Sequence, residues 1–430
     1  MTAALVFLLT YLVIGLQRIP RLHLGRPAGA LLGAVAMVAF GVLDFEAAKA
    51  AIDLDTILFL LGMMIILGYL ELSGFFELVE RRILGFARSA RALLWLVVLS
   101  AGVLSALFMN DTVCLMLTPI LVRVTRRLGL PPAPYLIALA TAANIGSTCT
   151  IIGNPQNALI AVRSGIGFLP FLGALGPVAA VGLVAAGLLL SFLYRHALTA
   201  APLVVPPPRE ERPVQPYMLM ASLAAGGGMV AALMAGARPA TAAMTAGAAV
   251  ILAGAARPRE ALRQVDWSLL LFFGGLFVVM RAVELAGLAQ ALVTGITGPL
   301  GHADPVGAAG ATAAGAIAAS TTTAGGLLAR LGIAVTLLSQ AVSNVPAVML
   351  FVPSLQAVPA QVAETLWLAL AAFATLAGNL TIIGSVANVI VFETARRDGV
   401  EVGFVEYLKV GVPLTFVTLL AAWGWLGITR

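Results

Sequence analysis

Apolar runs of membrane-spanning length recur from one end of the chain to the other, near 3–17, 27–43, 56–72, 132–162, 173–194, 217–236, 239–255, 267–284, 361–392 and 407–428. A helix needs about 20 such residues to cross the hydrocarbon layer. In lipid, only a helix or a closed barrel satisfies its own backbone N–H and C=O groups. Charged residues make up 10% of the 430 positions and hydrophobic ones 61%, a balance that cannot cover the surface of a soluble domain. The pattern predicts an all-α polytopic membrane protein with about ten transmembrane helices. The net charge of +6 is no nucleic-acid footprint, because the basic residues sit in short clusters between apolar runs. Cys114 and Cys149 both fall inside apolar segments, so no disulfide framework is expected. The stretch from Ala3 to Leu16 has no basic residues before it and reads as a retained first span rather than a signal peptide.

The two halves of the chain resemble each other. Arg26-Pro27-Ala28 recurs as Arg238-Pro239-Ala240, and Glu71-Leu72-Ser73-Gly74 as Glu284-Leu285-Ala286-Gly287. Asn110 followed by Pro119 recurs as Asn344 followed by Pro353; Thr150-Ile151-Ile152-Gly153 with Asn157 recurs as Thr381-Ile382-Ile383-Gly384 with Asn388. Anchors matched in order mark an internal repeat, with residues 1–196 as the first unit and 217–430 as the second. Residues 197–216, with Pro206-Pro207-Pro208 and Arg209, read as an extramembranous linker. Segments 92–128 and 326–356 carry polar centres and are expected to dip into the membrane and return. Five crossings per half then put all but six of the 25 basic residues on one face, the exceptions being Lys49, Arg163, Arg238, Arg281, Arg330 and Arg430. The basic face is the cytoplasmic one, which makes the linker cytoplasmic in a bacterial-type inner (plasma) membrane. An odd number of crossings inverts the second half relative to the first, an architecture of secondary transporters. Residues 304–325, rich in Ala, Gly and Thr, have no counterpart in the first half and read as a surface or hairpin-supporting helix, with an extra span as the alternative.

Four polar clusters interrupt the apolar runs: Ser105 with Asn110-Asp111-Thr112; Asn144 to Thr150 running into Gly153-Asn154-Pro155-Gln156-Asn157; Ser339 with Ser343-Asn344-Val345-Pro346; and Gly378 to Thr381 with Gly384-Ser385 and Asn388. Gly and Pro beside Asn and Ser at mid-depth predict two re-entrant hairpins and two broken helices, over 132–162 and 361–392. Irregular backbone at that depth is tolerated where it lines a protein-enclosed site. Broken helices expose N–H groups for anions and carbonyls for cations.

These paired Asn-tipped hairpins and Gly-containing loops resemble the ion transporter superfamily, which includes arsenite efflux permeases, sodium–proton antiporters, citrate carriers and divalent-anion/sodium symporters. The resemblance spans essentially the whole chain. It implies one cation site from Ser105, Asn110 and the Gly153–Asn157 loop, and a mirror-image site from Ser339, Ser343, Asn344 and the loop from Gly384 to Asn388. It implies that the substrate meets Asn110, Asp111, Thr112, Asn154, Pro155, Asn344, Val345 and Ser385. A homodimer is implied as well, and the resemblance leaves room for a partner ATPase. The sodium-coupled dicarboxylate members carry Ser-Asn-Thr at each tip. Here the tips read Met109-Asn110-Asp111 and Ser343-Asn344-Val345, so an acid and an apolar residue replace the two threonines.

Asp111 is the one acidic residue expected at mid-membrane depth, where an acid is costly and serves as a proton carrier, cation ligand or counter-ion. Beside a bound dianion it would repel strongly at low effective dielectric. The reading is a secondary active transporter of a small inorganic anion or oxyacid, arsenite-like or silicate-like, coupled to Na+ or H+ by alternating access. The alternatives are a sodium/proton antiporter, a sodium-coupled di- or tricarboxylate carrier, and a non-transporting membrane scaffold or receptor. No nucleophile–base pair, metal-ligand pattern or P-loop marks an enzyme, and no cofactor is expected.

Overall fold

The computed structural model describes residues 2–16, 25–198, 203, 213–254, 258–288, 313–356, 358 and 360–429. Most of the expected linker 197–216, residues 304–312 and several rim arginines (Arg18, Arg21, Arg209, Arg212, Arg257) lie outside the described residues. Among the described residues the chain is all-helical. The first helices are α1 (Thr2–Leu16), α2 (Arg26–Ala39), α3 (Phe45–Ala51), α4 (Leu54–Leu72), α5 (Phe75–Phe86), α6 (Ala90–Leu107), α7 (Asn110–Arg127), α8 (Ala133–Ser147), α9 (Pro155–Ser164) and α10 (Phe168–Leu193). After the linker come α11 (Pro216–Met234), α12 (Pro239–Gly254), α13 (Pro258–Arg263), α14 (Trp267–Leu285), α15 (Ala313–Val342), α16 (Asn344–Gln356), α17 (Ala360–Ala377), α18 (Val386–Arg397) and α19 (Phe404–Thr429).

Among the described residues, 7 helices are long and apolar enough to cross a membrane. Two of these, α6 and the Gly325–Val342 part of α15, are arms of the helix–turn–helix pairs α6/α7 and α15/α16. The apolar runs near 132–162 and 361–392 are each cut into two short helices, α8/α9 and α17/α18, so neither qualifies by length. The cuts have local causes. Asn154 caps α9 by accepting from Asn157 N at 2.9 Å, and Pro155 stands at the first helical position, where a missing N–H costs nothing. Before α18, a single 3-10 turn at Ile382–Gly384 replaces α-helix.

Of the stretch 304–325, expected as a surface or hairpin-supporting helix, residues 313–325 continue without a break into the hairpin arm, making α15 one helix of 30 residues, because no Pro interrupts the run. The Arg-rich stretch 81–91 is shared between two helices: α5 ends at Phe86, and Ser89 caps α6 by accepting from Ala92 N at 3.2 Å.

Helices from the two halves pack crosswise: α2 lies against α14, and α4 against α12. Small residues set both contacts, as lipid-embedded helices require for close approach. A Cβ on Gly62 would stand 2.4 Å from the Ala243 carbonyl carbon, and one on Gly275 would stand 2.7 Å from the Ala30 carbonyl carbon. Matched caps start the two central helices, Asp53 accepting from Thr56 N at 3.1 Å and Asp266 from Leu269 N at 3.0 Å.

Candidate functional site

The tips of the helix pairs meet the breaks of α8/α9 and α17/α18 in one buried amide cluster. At its centre is Asn144, fully buried on α8. Its Oδ1 accepts from Asn110 Nδ2 at 3.0 Å and from Ser385 Oγ at 3.1 Å. Its Nδ2 donates to Asn379 Oδ1 at 2.9 Å and to Asn388 Oδ1 at 3.0 Å. One side chain thus joins the first tip to both ends of the second break, with every donor and acceptor position engaged.

Around that hub each break is laced to itself. Asn157 Nδ2 donates to the carbonyls of Ser147, Thr148 and Thr150, at 3.1, 3.1 and 2.9 Å. Its counterpart Asn388 uses Nδ2 on Gly378 O at 2.8 Å, Thr381 O at 3.1 Å and the Tyr407 hydroxyl at 2.8 Å. Thr375, the counterpart of Asn144, accepts from Asn154 Nδ2 at 3.4 Å and Gln156 Nε2 at 3.1 Å. These bonds occupy carbonyls that a broken helix would otherwise leave bare in an apolar interior.

The tips dock in related ways. The Asn110 main-chain N donates to Gly153 O at 2.9 Å, whereas the Asn344 side chain donates to Gly384 O at 3.2 Å and Ala374 O at 3.0 Å. Ser343, just before Asn344, sits at φ 75°, in the left-handed region, where a side chain costs roughly 1–2 kcal/mol. Ser343→Gly is therefore expected to raise stability by up to ~1 kcal/mol, read as a higher thermal midpoint in detergent; a fall would show that the Ser343 hydroxyl outweighs the strain.

Of the residues marked in the sequence, Asn110, Asn154, Asn157, Asn344, Ser385 and Asn388 come together in this cluster, with Gly153, Pro155 and Gly384 shaping its loops. Val345 packs into the apolar core at 8% exposure. Asp111 and Thr112 are half-buried in the first turn of α7, where Asp111 N donates to Asn110 Oδ1 at 3.0 Å. The Asp111 carboxyl lies within electrostatic reach of Arg26 and Asp266. Ser105 and Ser339 are fully buried, and their hydroxyls meet no hydrogen-bond partner. Sequence reasoning passed over Thr375, Gln340 and Tyr407, and recorded Asn144, Gln156 and Asn379 only as members of polar runs. An amide or hydroxyl in an apolar run was the available signal.

A cavity of about 670 Å3 opens between α3, the start of α4 and α14 on one side and the later turns of α9 and α16 on the other. Arg163 on α9 pairs with the α4 cap Asp53 at 2.7 Å across its wall and lies 5.7 Å over the Phe277 ring. Among the described residues, no His, Cys, Asp or Glu grouping could hold a metal through those side chains.

Residues 9–372 match the family described as citrate transporter. A silicon efflux transporter from Oryza sativa subsp. japonica is 30% identical over 464 residues, covering 93% of this chain and 92% of that one. A putative transporter of Dictyostelium discoideum named arsB is 35% identical over 150 residues, 35% of this chain and 27% of that one. The crystal structure of the Alcanivorax borkumensis YdaH transporter, reported to have an unusual topology, shares the fold with a TM-score of 0.55 at 15% identity. It covers 99% of this chain and 96% of its own.

Proposed function

The chain belongs to the citrate transporter family, and on that premise we propose that it is a secondary active transporter of a small, neutral or singly charged oxyacid, coupled to a cation by alternating access. The observation that carries this reading is the buried cluster around Asn144, which joins the first tip to both breaks through amides and hydroxyls, with the second tip held on the second break by Asn344. Among the described residues, no Lys, Arg or His side chain bonds into it. A tricarboxylate would bring several negative charges into that cationless pocket beside Asp111, at a cost that neutral hydroxyl groups avoid. A silicic-acid-like or arsenous-acid-like solute offers hydroxyls that both donate and accept, which suits paired amides. The rice relative's silicon efflux supports the same substrate class.

In this reading Asn110 and Asn344 orient the solute, with Thr112, Asn154, Pro155, Val345 and Ser385 around it. Asp111 attracts or carries the coupling cation, a sodium ion or a proton. The cavity walled by the Arg163–Asp53 pair supports an access path on one side of the cluster. The arginine-rich loops face the cytoplasm, and so does the linker 197–216. Purified protein in liposomes is expected to move silicic or arsenous acid down an imposed sodium or pH gradient. Asp111→Asn, which keeps the shape and removes the charge, is expected to cut that flux by at least about tenfold. Unchanged flux at every pH tested would remove Asp111 from coupling. Sodium-driven proton movement with no oxyacid present would instead favour the sodium/proton antiporter reading, for which the acid at the first tip is the supporting observation.

A further inference from the structure

The two hairpin turns are supported unequally by the helices outside them. The second rests on α1, which packs against α14 and α15. Tyr11 of α1 is 6% exposed, and its ring centre lies 4.3 Å from that of Phe7. Its hydroxyl reaches Met280 Sδ at 3.1 Å and Pro346 O, just after the second tip, at 3.2 Å. A protein side chain thus fills the space between α1, α14 and the second turn.

The first turn meets a void instead. Its outer neighbour is α11, the counterpart of α1, since each precedes one copy of the Arg-Pro-Ala anchor. A cavity of about 350 Å3 lies between α11, Met63, Ile66 and Leu67 of α4, and the turn residues Leu107, Phe108 and Met109. Leu67 is the counterpart of Met280, so the cavity corresponds to the space that Tyr11 fills in the other half. Among the described lining residues only Ser222 has a polar side chain, and its hydroxyl donates to Met218 O at 2.8 Å.

The cavity opens along α11. Leu223, Gly227, Ala231 and Met234 line it, are exposed, and follow one face of the helix. The small residues in the middle make the stripe a trough: a Cβ on Gly227 would meet nothing within 4 Å. From Leu223 to Met234 the stripe runs about 16 Å at 1.5 Å per residue. That is close to half of the hydrocarbon layer, about 30 Å thick, and so to the depth of the tails in one leaflet. Water and polar solutes would find no hydrogen-bond partners in such a trough. A partner helix is about 10–12 Å across, so the cavity would hold less than one turn of it. A hydrocarbon chain is thin and flexible, and lipid supplies it all along the exposed face of α11. Met63, Met109, Met229 and Met234 add adaptable thioether chains to the walls.

We infer that this trough binds one acyl chain of a membrane phospholipid, packed on Leu107, Phe108 and Met109, and that the chain supports the first hairpin turn where Tyr11 supports the second. Such binding follows from the membrane-spanning fold and stands apart from the transport reading.

The full-length protein in phosphatidylcholine vesicles, with a photoactivatable group in the middle of the lipid tail, tests this once the cross-linked residues are mapped by mass spectrometry. Met109 and Met229 are 2% and 5% exposed, out of reach of lipid that merely surrounds the protein, whereas Met220 on α11 is 70% exposed. All three are expected to be labelled. Gly227→Phe fills the trough and is expected to lower labelling of Met109 and Met229 at least about fivefold, with Met220 unchanged. Ala231→Phe fills the same stripe one turn further on and should act alike, so a folding defect in one variant leaves the other to decide. Returning phosphatidylcholine to delipidated wild type is expected to raise its thermal midpoint, and to raise it less in Gly227→Phe and Ala231→Phe. Labelling confined to Met220, or equal labelling of Met109 in wild type and both variants, would overturn the inference. So would a purified dimer that retains no lipid and falls to monomer in Gly227→Phe, because the occupant would then be a second copy of this chain.

Discussion

Asn144→Ala is expected to abolish flux and to lower the stability of the folded protein by roughly 3–5 kcal/mol. The substitution strands four groups at once: Asn110 Nδ2, Ser385 Oγ, Asn379 Oδ1 and Asn388 Oδ1. Each group that loses its partner in a dry interior costs about 1–3 kcal/mol, though the costs do not simply add and water entering the gap offsets part of them. Asn388 retains its carbonyl bonds and Asn110 its main-chain bond to Gly153, so local collapse rather than global unfolding is the expected structural result. Asn144→Asp sharpens the test. It keeps the acceptor positions facing Asn110 and Ser385 but turns a carboxylate oxygen toward two amide oxygens that now lack a donor. Like charges and orphaned acceptors repel, so this isosteric change should lose at least as much flux as the truncation. Thermal unfolding in detergent and liposome flux, measured on the same preparations, provide the readout. A wild-type melting profile with wild-type flux in Asn144→Ala would show that the amide hub couples nothing.

That expectation marks where sequence reasoning ended. The breaks and tips were legible because Gly, Pro, Asn and Ser are conspicuous inside apolar runs, and their local chemistry suffices to stop a helix. Asn154 caps and Pro155 starts α9 without help from distant residues. The repeat was legible for the same reason, through short anchors preserved in order. The cluster's wiring was not. Asn144 meets Asn379, Ser385 and Asn388 across more than two hundred residues, and no periodicity reports such pairing. The matching of sites by resemblance also concealed their inequality, since the Thr375 and Val345 replacements matter only once the halves are seen interlocked. The Ala-rich stretch before Gly325 was legible as helix but not in its extent, since composition alone cannot tell an isolated helix from the first turns of a longer one.

The crosswise packing of the halves makes a second large prediction. Gly62→Leu and Gly275→Leu are each expected to destabilise the protein by roughly 3–5 kcal/mol. A Cβ at Gly62 already falls 2.4–2.5 Å from backbone atoms of Ala243, and one at Gly275 falls 2.7–2.8 Å from backbone atoms of Ala30. Backbone cannot rotate aside as a side chain would, so the helices must separate along their length. Trimming Ala243 or Ala30 to glycine should accordingly rescue little. Gly227→Leu on α11 is the contrast, because a Cβ there meets nothing within 4 Å. It is expected to change stability by no more than ~0.5 kcal/mol. Thermal midpoints of the three variants in one detergent decide the matter. Similar large losses at Gly62 and Gly275 follow from two equivalent interfaces, each built from one helix of either half. A loss at only one of them would mean that a single interface holds the halves together, and a rigid frame around the amide cluster requires both.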